Sequence, residues 1–99
     1  MTLLLLDPQD NVLVVIRPIA AGDPIAIDGV EHTASTAIGV GHKVARHGLA
    51  PGDRVVKYGA PIGSMTAVAA PGDHIHLHNM KSDYIASHLR DTLERSTES

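Results

Sequence analysis

Three histidines alternate with apolar residues in His74-Ile75-His76-Leu77-His78-Asn79. On an extended strand, successive side chains leave opposite faces. The spacing therefore predicts three imidazoles on one face, with Ile75 and Leu77 turned into a core. Imidazoles two apart on a strand can share one metal ion, and imidazole suits Zn, Fe, Cu and Ni. No carboxylate at matching spacing completes a ligand set, so His42, His47 or a second chain would have to supply the rest. The pattern leaves three readings open: a solvated or interface strand, contacts to a substrate or partner, and direct metal ligation.

Two further segments place chemistry near glycines. In Gly39-Val40-Gly41-His42-Lys43, backbone N–H groups and a cation could meet an anionic ligand. It lacks the P-loop pattern, and a flexible turn with exposed basic residues is the plainer reading. In Lys57-Tyr58-Gly59-Ala60-Pro61-Ile62-Gly63, the glycines and proline define a turn with Lys57 and Tyr58 at its rim. A structural turn carrying a packed tyrosine is the alternative there.

Other chemistries are excluded. The chain has no cysteine, which removes disulfides, thiolate metal sites and a thiol nucleophile. There is no nucleophile elbow, no zinc-binding helix motif and no paired carboxylates suited to a cleft. Asp23, Asp53 and Asp73 belong to turns. The net charge of −3 argues against a nucleic-acid partner, which needs a basic face. Protonating all seven histidines would carry that charge to +4, so the surface field changes sign near the histidine pKa. Leu3-Leu4-Leu5-Leu6 is far shorter than the ~20 apolar residues of a membrane span and reads as a buried first strand. A cytoplasmic setting with no membrane contact is the expectation.

The elements that must position the histidines are short. With 99 residues there is room for one domain. The chain has no Phe or Trp, but nine valines and eight isoleucines, a composition that favours strands. Strands are expected at Thr2–Leu6, Val12–Arg17, Asp23–Ile27, Glu31–Ala34, His42–Arg46, Arg54–Tyr58, Ser64–Val68 and His74–His78. A hairpin is expected at Asp28-Gly29. Ile19-Ala20-Ala21-Gly22-Asp23, Leu49-Ala50-Pro51-Gly52-Asp53 and Ala69-Ala70-Pro71-Gly72-Asp73 repeat one tight-turn device. From Ser82 onward Tyr84, Ile85, Leu89 and Leu93 fall at helical spacing, with Ser82 as N-cap. The expected architecture is a mostly β domain over 1–81, with a short C-terminal helix and tail over 82–99.

Taken together, Gly41-His42-Lys43-Val44-Ala45, Lys57-Tyr58-Gly59 with Ile62-Gly63, and Gly72-Asp73 leading into His74–Asn79 resemble the N-terminal region of the altronate/galactarate dehydratase family. Asp10-Asn11-Val12 is also similar to that region, and the resemblance spans roughly residues 2 to 82. It implies a SAF domain of the β-clip type. It also implies a lyase that eliminates a group β to a carboxylate, using a divalent metal, iron or manganese, held mainly by a large catalytic subunit. The family includes altronate and galactarate dehydratases and sulfolactate sulfo-lyases, some of them split into a small SAF subunit and a large partner. A small-subunit role, inactive alone, is the expectation, with a small hydroxy acid as substrate.

Carried over by position, His42 and Lys43 would be catalytic, Lys57, Tyr58 and Gly59 substrate-binding, and His74, His76 and His78 metal ligands beside Asn79. Lys43 or Lys57 would bind the substrate carboxylate, and a histidine would serve as metal ligand or proton donor. Galactarate-type members keep the Gly-His-Lys and Tyr-Gly parts without the histidine strand, which gives Gly-His-Lys the greater weight. Competing readings are a β-clip module that binds an anionic carbohydrate or a protein without catalysis, and a small histidine metal-binding protein. Self-association is a further expectation, because the partner-facing surface would be left uncovered.

Overall fold

A tight turn used four times organises the chain. A computed structural model describes residues 2–82. In turns 20–23, 50–53 and 70–73 the aspartate N–H donates to the alanine carbonyl three positions back, at 3.0 Å in each. The aspartate Oδ2 accepts that alanine's N–H at 2.8, 2.8 and 2.9 Å. Gly22, Gly52 and Gly72 take φ of 91°, 92° and 88°, which only glycine adopts without strain. The fourth copy is 39–42: Gly41 has φ 89° and His42 N–H donates to the Gly39 carbonyl at 3.3 Å. Its sequence, x-Gly-Val-Gly-His, lacks the alanine and aspartate that mark the other three.

The copies fall into two halves. Ile19 bridges Ile38, and Leu49 bridges Ala69. Gly22 and Gly41 donate to the carbonyls of Ala34 and Val15, as Gly52 and Gly72 do to Met65 and Ala45, all at 2.8 Å. Each half contributes a hairpin. β3 (Pro24–Ile27) pairs with β4 (Val30–Thr33) around Asp28-Gly29, as expected. β6 (Arg54–Lys57) pairs with β7 (Ala60–Met65) around Tyr58-Gly59. Both hairpin turns have positive φ at both central residues, 51° and 81° in the first and 59° and 73° in the second. A bulge after Val55 skips Ile62, which packs on the core instead. It is the one extra residue of the second half.

Between the hairpins lies an antiparallel sheet in the order β1-β2-β5-β8, formed by β1 (Leu3–Leu4), β2 (Val12–Val15), β5 (Lys43–Ala45) and β8 (His74–Ile75). Leu13, Val15 and Val44 join Ile25 and Ile27 in one core cluster, and Val12, Ala45 and Ile75 join Val55, Met65 and Met80 in the other. Each fully buried Val or Ile contributes about 1.5–3 kcal/mol. β9 (Met80–Ser82) extends the second hairpin by pairing with β7.

Several expectations are corrected. The four leucines form no buried strand: β1 is a two-residue edge with Leu4 37% exposed, and Leu3 and Leu5 pack on the core from one side. The strand expected at 64–68 lies at Ala60–Met65, because Tyr58-Gly59 is a hairpin turn. Ser82 is the last residue of β9 rather than a helix N-cap. The rest of the expected C-terminal helix lies outside the described residues. Among the described residues, no helix is long and apolar enough to cross a membrane.

Candidate functional site

The histidine segment is only briefly a strand. β8 stops at Ile75, and 76–79 form a turn. Ile75 is fully buried as expected, but Leu77 is 72% exposed. Asn79 makes the turn: its Oδ1 accepts the His76 N–H at 2.9 Å, and its Nδ2 donates to the His74 carbonyl at 2.9 Å. Its side chain is buried, and its carbonyl accepts Thr66 N–H at 2.8 Å. One amide thus fixes the backbone on both sides of Ile75.

The imidazoles still converge. His42 Nδ1 lies 3.0 Å from His74 Nε2. The His42 ring stands edge-on to His74 and His76, at centroid distances of 5.0 and 5.4 Å. His74 and His76 are stacked at 5.6 Å, and His78 lies 5.5 Å from His74. One nitrogen from each of His42, His74 and His76 falls within 4.8 Å of the others. His42, rather than His47, is the imidazole that joins them; the His47 ring turns to the Gly48 carbonyl at 3.4 Å.

Strand register explains the grouping. Val44 pairs with His74, and Lys43 pairs with Ile75. Directly paired residues share a face, so His74 lies on the side of Val44 and Lys43 on the side of Ile75. Lys43 therefore departs from His42 toward the other half, where the positive charge of Lys57 is felt. Burial first, and that charge second, push the Lys43 pKa down from 10.5. His74 is pushed below 6.5, first by burial and then by the positive charge of His42, His78, His76 and Lys43. A lowered His74 is neutral at pH 7, with a lone pair to offer.

Two of the N–H groups around His42 are engaged within the fold. Gly41 N–H is taken by the Val15 carbonyl, and His42 N–H by Gly39. Tyr58 and Gly59 are held from behind by Asp10, to which the sequence assigned no role of its own. Its buried carboxylate accepts Tyr58 N–H at 3.0 Å and Gly59 N–H at 2.8 Å. The Tyr58 ring is 70% exposed and not packed. Arg46 seals the region, donating to the Pro8 and Asp10 carbonyls and pairing with Asp28 at 3.0 Å.

A cleft of about 590 Å³ opens beside the cluster, lined by His74, His78, Asp73 and Asn79 on one side and Thr36 and Val68 on another. Thr36 and Val68 carried no motif, and their place on this cleft was not legible in the sequence. The second half of the chain also presents Val68 and Leu77, 74% and 72% exposed, near these histidines.

The fold thus gathers three imidazoles on a duplicated β scaffold. The altronate/galactarate dehydratase SAF domain matches residues 1–83, and the chain belongs to that family. It is 40% identical over 75 residues to altronate dehydratase of Bacillus subtilis, and 38% over 74 residues to that of Escherichia coli. These alignments take in 76% and 75% of this chain but 15% of each relative. The chain is also 48% identical over 50 residues to (2R)-sulfolactate sulfo-lyase subunit alpha of Paracoccus pantotrophus, covering 50% of this chain and 75% of that subunit.

Proposed function

We propose that this chain is the small, SAF-bearing subunit of a metal-dependent sugar-acid lyase of β-clip type, working with a large catalytic subunit. Altronate or a related hydroxy acid is the substrate, and a 2-keto-3-deoxy acid the product. The reaction removes the proton α to the carboxylate and expels the β-hydroxyl with a proton as water, and the resulting enol becomes the ketone. A base, an acid and a metal that polarises the substrate oxygens are needed. The residues described in this chain supply imidazoles and lysines but no complete set, so the remainder of the machinery falls to the partner.

The observation that carries this reading is the gathering of His42, His74 and His76, with His74 also lining an open cleft. Neutral His74 can accept a proton or hold an ion. Lys43 and Lys57 form a cationic pair suited to a carboxylate. The donor set fits a transition metal, being all imidazole nitrogen.

Co-expression with a large dehydratase subunit from the same source tests the proposal. Co-purification, with altronate turnover by the complex and none by the chain alone, supports it. A chain that emerges alone, while the large subunit is fully active without it, overturns it. A sulfo-lyase reading is favoured by the match to 75% of the sulfo-lyase alpha subunit. Offering the complex (2R)-sulfolactate and measuring sulfite release separates the two.

A further inference from the structure

We propose that His42, His74 and His76 are a metal site of this chain's own, holding one divalent first-row transition ion through three imidazole nitrogens. This goes beyond a metal held by the partner, and it stands whether or not the chain serves a lyase.

Geometry comes first. Bonds of 2.0–2.1 Å at tetrahedral angles place ligand nitrogens about 3.4 Å apart. The His42–His74 pair is already at 3.0 Å, and the whole trio spans 4.8 Å. Side-chain rotation at exposed His76 closes the difference. The backbone need not move, because Asn79 pins His74 and His76 on either side of Ile75.

The second observation is the broken repeat. Three of four equivalent turns place aspartate at the fourth position and spend its carboxylate on the turn's own N–H. The copy that lies against β8 has His42 there, and its ring meets His74 instead. A turn needs no imidazole at that position, whereas a metal site does.

The donor chemistry selects the ion. Three imidazole nitrogens, with no carboxylate or thiolate among them, suit zinc, nickel, copper or iron and not calcium or magnesium. Three protein ligands leave at least one position for water or a substrate oxygen, the arrangement of catalytic rather than structural sites. His78 stands outside the trio, beside His74.

The test uses the full chain without an affinity tag. Titration with Zn2+ by calorimetry, and with Co2+ by visible absorption, is expected to give one ion per chain and a low-symmetry Co2+ spectrum. His42→Gln and His76→Gln should each weaken binding about tenfold or more. His32→Gln and His47→Gln should leave it unchanged. In the unaltered chain, Zn2+ should shift the imidazole proton resonances of His42, His74 and His76 together, a readout independent of whether any variant folds. Three results overturn the proposal: no uptake at micromolar metal, equal losses in all four variants (an adventitious ion only), or resonance shifts that spare His42.

Discussion

His42 occupies in its turn the position that Asp73 occupies in the equivalent turn of the second half. Asp73 spends its carboxylate on Ala70 N–H at 2.9 Å, whereas His42 directs Nδ1 to His74 Nε2 at 3.0 Å. The fold gives up one turn-closing hydrogen bond and gains an imidazole beside β8.

That exchange has a measurable consequence. His42→Asp should be more stable than His42→Ala by about 0.5–1.5 kcal/mol, the net worth of one recovered side-chain hydrogen bond. Urea midpoints of the two variants at pH 7 provide the comparison. An aspartate variant no more stable than the alanine variant would show that turn 39–42 is not equivalent to the other three.

Asp10 holds the second hairpin. Its buried carboxylate accepts both N–H groups of the Tyr58-Gly59 turn. Tyr58 has φ 59°, unfavourable for a side chain of its size, so those bonds also hold a strained residue in place. Asp10→Ala should cost about 2–3 kcal/mol, chiefly from the amides left without an acceptor. Chemical denaturation measures this, and a cost under about 0.5 kcal/mol would remove Asp10 from the account of the turn.

Gly63 is required by close approach rather than by a turn. A Cβ there would overlap the Lys81 carbonyl oxygen and lie 2.5 Å from the Met80 Cε. The backbone of β9 would have to move away from β7. Gly63→Ala should therefore destabilise by about 2 kcal/mol or more. Gly39→Ala should be far milder on steric grounds, because a Cβ there meets only the His42 ring at 3.7 Å. Thermal unfolding of both variants checks the contrast.

The β architecture, the Asp28-Gly29 hairpin and the three Gly-Asp turns were legible because each rests on local chemistry. Glycine at positive φ and aspartate in reach of its own turn's N–H announce themselves over five residues. The fourth turn was not legible as a copy, because Gly39 and His42 replace its alanine and aspartate; only Gly41 and the apolar Ile38 remain as the signal. The histidines were picked out for their type, but strand alternation gave the wrong reason for their proximity. A turn stapled by Asn79 brings His76 beside His74, and antiparallel pairing with β5 brings His42. Asp10 was hidden because a buried carboxylate serving a hairpin about fifty residues away has no local pattern.

The metal-free chain should lose stability as the pH falls through the histidine range. His74 is held below 6.5 by burial and by the neighbouring His42, His78, His76 and Lys43. The unfolded chain then binds more protons than the folded one between the two pKa values, so stability rises with pH there and drops below about pH 6.5. A His74→Gln variant should show a flatter dependence. Urea midpoints between pH 5 and 8 check it, and identical slopes in the two proteins would contradict the lowered His74 pKa.

The central claim is that this chain completes a lyase site housed with a larger partner. Reconstituting the complex with unaltered chain and with His42→Ala, and measuring altronate dehydration by keto-acid formation, tests it most directly. The account predicts that both complexes assemble, that neither subunit alone turns over substrate, and that His42→Ala lowers kcat about 10²-fold or more. Undiminished turnover by the His42→Ala complex, or by the large subunit alone, would contradict it.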